Sequence, residues 1–168
     1  MGHAGAQAPT VAAGIAVGDR APDFELPDTH GTPVRLGALR GAPVAVVFFP
    51  FVFSQICTSE LCELRDNIGD FAQRGVRLLA ISTDAMFAQR AWAEAEGLGF
   101  DLLSDFWPHG AVARSYGVLD ENNGHALRGS FLLDADGVVR WSVVNPRGQA
   151  RQLASYRAAL ADLGPAPR

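Results

Sequence analysis

The chain predicts an α/β fold, a central mixed β-sheet with helices on both faces, and three observations carry that reading. Residues 44–49, Val-Ala-Val-Val-Phe-Phe, form an apolar run without alternation, as suits a central strand covered on both faces. Apolar positions then recur at helical spacing before a second apolar run at 76–82. Asp136-Gly137 sits between two short apolar segments, a strong hairpin-turn signal.

In chain order, the strand at 44–49 comes first. Leu61, Leu64, Ile68 and Phe71 share one face of the helix that follows, and Gly75 stops it. Residues 76–82 are a second buried strand. Residues 87–96 are helical and end at Gly97. Residues 102–103 make a short strand and 110–115 a short helix. Segments 130–133 and 138–144 flank the hairpin turn, and a helix over Leu153–Leu163 closes the chain. Phe106 and Trp107 read as core residues, and His109 and His125 as surface or capping residues. The order β-α-β-α-β, hairpin, helix describes a thioredoxin-like layout.

Composition narrows the function. The 168 residues, 48% of them apolar, suit one domain with one full core. Residues 1–16 are Ala- and Gly-rich and read as a flexible N-terminal extension, with the domain spanning 17–168. No apolar run approaches the roughly 20 residues of a membrane span. A formal charge of −4 argues against a nucleic-acid partner. All 14 basic residues are arginine, which excludes Schiff-base chemistry on lysine. The start lacks the basic, then apolar, pattern of a secretory signal, so a reducing cytoplasm is the expected location. There, two cysteines are more often redox-active than structural. Zinc is not expected: Cys57 and Cys62 are five apart, and His30, His109 and His125 show no ligand spacing to them.

The segment from Pro50 to Cys62 connects the first strand to the helix after it, so Cys57 falls in or near the first helical turn. Unpaired N–H groups and the positive end of the helix dipole favour a thiolate there. Cys57 lies four residues before Leu61 and seven before Leu64, on the inward face, where Pro50 would shield it. Ser54, three residues back, can cap the helix or bond a substrate oxygen. Acidity alone is a small effect: a thiol of pKa about 8.5 is roughly 3% ionised at pH 7. Fast attack by such a thiolate also needs donors fixed beside the sulfur to hold the charge that develops on a leaving atom.

These residues resemble the peroxiredoxins. The nucleophile motif of that family, Pro-x-x-x-Thr/Ser-x-x-Cys, is met by Pro50, Ser54 and Cys57, and Glu60 matches its acid three residues past the cysteine. Arg128, just before the segment 130–133, matches its distant arginine. The stretch 18–28 is similar to the family's opening, and 103–112 with Gly117-Val118 is similar to the alkyl hydroperoxide reductase E group. One feature differs from that group: the spacing of Cys62 is that of the Q-type, bacterioferritin comigratory members.

The resemblance implies a thioredoxin-like fold and a thiol peroxidase for hydrogen peroxide and organic hydroperoxides, with no cofactor. Cys57 would attack the O–O bond and become sulfenic acid, while Arg128, Ser54 and backbone amides hold the transition state. Glu60 would orient Arg128 or favour the helix start. Cys62 would resolve the sulfenic acid as a disulfide, or else merely fill space. Thioredoxin, a mycoredoxin or mycothiol would supply electrons, and a homodimer formed near the nucleophile loop is expected. The alternative is a thioredoxin-like thiol-disulfide oxidoreductase, which normally needs Cys-x-x-Cys where this chain has Cys-x₄-Cys.

Overall fold

The computed structural model describes residues 14–164; most of the expected N-terminal extension lies outside the described residues. Five strands form the central sheet: β3 (Val44–Phe48), β4 (Arg77–Ser82), β5 (Asp101–Ser104), β6 (Arg128–Leu133) and β7 (Val139–Asn145). Their order is β5-β4-β3-β6-β7. β3, β4 and β5 run parallel, while β6 and β7 add antiparallel to β3, which makes the sheet mixed. All five residues of β3 are buried, as its unalternating apolar run requires.

Successive residues of β3 serve two cores. Val44, Val46 and Phe48 point to one face, with Leu79, Ile81, Tyr116 and Phe131. Ala45 and Val47 point to the other, with Leu64, Phe71, Tyr156 and Leu160. The first face is covered by the N-terminal segment and α4 (Ala111–Ser115). The second is covered by α1 (Gln55–Asp66), α2 (Ile68–Ala72), α3 (Met86–Glu96) and α5 (Leu153–Leu163). Cys57 and Leu61 of α1 pack with Trp92 of α3, against Phe49 and Ala80.

Four expectations are corrected. The helix after β3 is two helices, because Asn67 breaks it: its φ of −118° and ψ of 20° leave the helical range. Its amide side chain bonds the Glu63 carbonyl and accepts from Arg157. Ile68, expected on the buried face, is exposed beyond that break. Phe106 and Trp107 are also exposed, at 54% and 79%, because they stand on a turn beyond β5 and outside both cores. His125 is buried, its ring tilted against Phe51 with centres 5.1 Å apart and its Nε2 3.5 Å from Asp120.

The sequence reading lacks the hairpin of β1 (Glu25–Pro27) and β2 (Pro33–Arg35) and the short 3-10 helix Leu36–Leu39 that follows it. Pro27 and Pro33, paired at the turn end of the hairpin's three-residue strands, mask the strand signal. Its turn is held by the Asp28 carboxylate, which accepts from the His30 and Thr32 amides.

Candidate active site

The site forms where β3 hands over to α1. Ser54 is the N-cap of α1, in extended conformation, and its Oγ accepts from the Cys57 amide at 3.4 Å. Cys57 therefore sits at the third helical position, and it is fully buried. The loop before it is constrained. Phe53 has a φ of 63°, a conformation that costs an aromatic residue energy and persists only where surroundings enforce it. One such constraint is the Val52 amide, which donates to the Asp84 carboxylate at 3.0 Å.

Arg128 comes from the first position of β6, the strand antiparallel to β3. Its Nη1 donates to Cys57 Sγ at 3.2 Å and to Glu60 Oε1 at 2.5 Å. Its Nε donates to the Arg147 carbonyl at 2.6 Å. The guanidinium is thus held at two corners and directed at the sulfur. Gly129 permits the close packing beside it, since a Cβ there would lie 2.7 Å from Val118 Cγ1.

Glu60 is buried one helical turn past Cys57, on the same face of α1. Its Oε1 also accepts from Arg151 Nη2 at 3.0 Å, and its Oε2 from the Arg151 amide and Nε at 2.6 and 3.0 Å. Burial alone would raise the carboxyl's pKa; the Arg151 hydrogen bonds and charge, with Arg128, outweigh it and hold the group below the ordinary carboxylate range. Arg151 is itself anchored by the carbonyls of Phe48 and Gly129 and by Ser130 Oγ. Two buried guanidiniums against one carboxylate leave one positive charge unmatched, and Cys57 Sγ is the group that receives its hydrogen bond.

Of the residues singled out from sequence, Pro50, Ser54, Cys57, Glu60 and Arg128 meet in this one site. Cys62 does not join them. It is half-buried on another side of α1 and donates to Glu96 Oε2 of α3 at 3.4 Å. Burial pushes its thiol pKa up, and the bond to Glu96 adds to that. Both thiols are free. Sequence reasoning missed Arg151, because nothing in its neighbourhood distinguishes it among 14 arginines. It also missed Asp84 and Glu96, whose partners are 32 and 34 residues away.

A cleft of about 350 Å³ opens over this cluster, lined by Pro50, Phe51, Ser54, Ile56, Arg128 and Arg147. Its lining sets apolar Pro50, Phe51 and Ile56 beside polar Ser54 and Arg128, a mixture common in small-molecule sites. Among the described residues no group of His, Cys, Asp and Glu could hold a metal ion.

Residues 17–142 match the model of the AhpC/TSA family. The chain is 43% identical to alkyl hydroperoxide reductase E of Mycobacterium tuberculosis over 148 residues, covering 88% of this chain and 97% of that protein. It is 32% identical to a peroxiredoxin of Thermoplasma volcanium, over 83% of this chain and 70% of that one. The crystal structure of peroxidoxin BcpB from Mycobacterium tuberculosis superposes with a TM-score of 0.77 at 35% identity, covering 88% of this chain and 95% of that one. The chain therefore belongs to the AhpC/TSA family as a peroxiredoxin, a thiol-dependent peroxidase.

Proposed function

We propose that Cys57 is the peroxidatic nucleophile. The observation that carries this is Arg128 Nη1 at 3.2 Å from Cys57 Sγ, with the guanidinium pinned by Glu60 and the Arg147 carbonyl. The thiolate attacks the nearer peroxide oxygen, the O–O bond breaks, and Cys57 becomes sulfenic acid while water or an alcohol leaves. Arg128, Ser54 Oγ and the Cys57 amide are the donors for the oxygens in the transition state. Glu60 and Arg151 act one step removed, by holding Arg128. Pro50 shields the sulfur from water.

The cleft supports hydrogen peroxide and organic hydroperoxides as substrates, with Phe51 and Ile56 meeting an apolar tail. The test is stopped-flow oxidation of the reduced protein by each peroxide, with mass spectrometry of the peptide carrying both cysteines. One sulfenic acid or its disulfide per peroxide consumed is the expected result; oxidation that leaves Cys57 untouched overturns the assignment.

Cys62 then resolves Cys57. Both residues lie in the regular part of α1, so their Cα atoms are roughly 8–9 Å apart. That exceeds the approximately 7 Å limit for a disulfide, so the first turns of α1 must unwind before the bond forms. Thioredoxin, a mycoredoxin or mycothiol is the expected class of reductant. A homodimer is supported by the exposed apolar group of Phe87, Phe106 and Trp107, beside Pro27 and Met86. No helix among the described residues is long and apolar enough to cross a membrane; a single domain beginning at residue 17 and a cytoplasmic location remain part of this proposal.

A further inference from the structure

One side of α1 is fastened to α3 by a row of side-chain contacts. Trp92 Nε1 donates to Thr58 Oγ1 at 3.3 Å. Four residues on along both helices, Cys62 Sγ donates to Glu96 Oε2 at 3.4 Å. One turn further, Arg65 Nη1 donates to the Glu96 carbonyl. Two of these three contacts end on Glu96, the last residue of α3. Glu96 therefore holds the thiol of Cys62 by its side chain and the end of α1 by its backbone.

We propose that Glu96 is a positioning residue that latches Cys62, and so sets how the Cys57 sulfenic acid divides between internal resolution and attack by an external thiol. This rests on the reading of Cys62 as the resolving cysteine. In the latched state Cys62 is a protonated thiol directed at α3, turned about 140° around the helix from Cys57. Resolution breaks the Cys62–Glu96 hydrogen bond and unwinds the first turns. The Cys62 sulfur then attacks the Cys57 sulfur, the S–O bond breaks, and the Cys62 proton leaves with the hydroxyl as water. Cys62 is oxidised, the sulfenic sulfur is reduced, and no further oxidant is consumed. The carboxylate stabilises only the latched state, because it has no role once Cys62 has swung away. A longer-lived latch leaves the sulfenic acid exposed to external thiols for longer.

The burial and hydrogen bond that hold the Cys62 thiol protonated accord with this. So does the separation of the two sites: Arg128, Glu60 and Arg151 contact a different side of α1, and neither Glu96 nor Cys62 touches them. Changing Glu96 therefore leaves the first chemical step alone.

The experiment is stopped-flow fluorescence of the reduced full chain mixed with excess hydrogen peroxide, without external thiol. The first phase depends on peroxide concentration and reports attack by Cys57. The second is independent of it and reports disulfide formation. Glu96→Ala is expected to accelerate the second phase roughly two- to tenfold, the range of one hydrogen bond, with the first phase unchanged. Glu96→Gln keeps an acceptor at the same reach and is expected to stay within about twofold of wild type. If both variants resolve at the wild-type rate, or if both phases shift together with a lowered melting temperature, the latch is overturned. Cys62→Ser separates the two readings: a second phase that survives in it overturns Cys62 as the resolving thiol, whereas its loss alongside unchanged Glu96 variants overturns the latch alone.

Discussion

Cys57 and Cys62 sit on one helix, five residues apart, in surroundings of opposite sign. Cys57 faces the interior, where Arg128 and Arg151 outnumber Glu60 and an N–H points at the sulfur. Cys62 faces a partly solvated seam, where its own hydrogen points at a carboxylate. The helix dipole adds to the contrast, since Cys57 lies in the first turn and Cys62 beyond it, but it does not account for the carboxylate that receives the Cys62 hydrogen. The larger part of the contrast comes from outside the helix, from β6 and the segment before α5 on one side and from α3 on the other. Reactivity is assigned by what the fold puts opposite a thiol.

This comparison can be broken most directly at the inner sulfur. Cys57→Ser is expected to abolish peroxide consumption with the circular dichroism spectrum unchanged; a variant keeping a tenth of wild-type turnover contradicts it. Arg128→Ala removes the donor at Sγ and is expected to slow attack by about 2–4 kcal/mol, on the order of 30- to 1,000-fold. The slowing should persist at high pH, where any thiol is ionised, if Arg128 acts on the transition state. Measurement of the second-order rate against pH decides that.

Arg151→Met tests the support behind Arg128. It strips Glu60 of two of its four hydrogen bonds and leaves a buried carboxylate underpaired, so about 3–5 kcal/mol of stability should be lost in urea titration. The backbone amide of residue 151 survives the change and limits the loss. Glu60 also gives the acid limb a definite sign. Its carboxyl titrates below its unfolded value of 4.5, so its contribution is fully present above that value and is lost as pH falls through the lower folded one. Glu60→Gln should flatten melting temperature against pH below about 4.5, and an unchanged slope there refutes the assignment.

Smaller effects belong to the helix end and the outer thiol. Ser54→Ala should cost about 1 kcal/mol of stability through the lost cap and slow attack several-fold, with Ser54→Thr restoring both. Cys62→Ser should leave the first oxidation unchanged. It should consume one equivalent of peroxide and then stall as sulfenic acid, visible by trapping with dimedone, until an external thiol is added.

The sheet was legible because its strands are apolar runs long enough to be read one at a time: 44–49 and 76–82 match β3 and β4 almost to the residue. The local part of the candidate site was legible because a motif of eight residues brings Pro50, Ser54 and Cys57 together. What escaped was set by distant partners. The break at Asn67 depends on Arg157, 90 residues on. Trp107 looks like core by residue type and is exposed, because type does not report where a turn leaves the sheet. Arg151 is buried because three separate elements present it with acceptors, and no periodicity records that.

The interruption at Asn67 has a consequence for repair as well as for shape. α1 is a cylinder of twelve residues whose far end does not continue into α2. A melt that starts at Ser54 meets a discontinuity there, beyond which Phe71 is seated against Tyr156 and Arg157 grips Asp70. The gap acts as a firebreak. In the proposed cycle each oxidation would disturb one replaceable segment, and the intact ground on either side would be the template on which it rewinds on reduction.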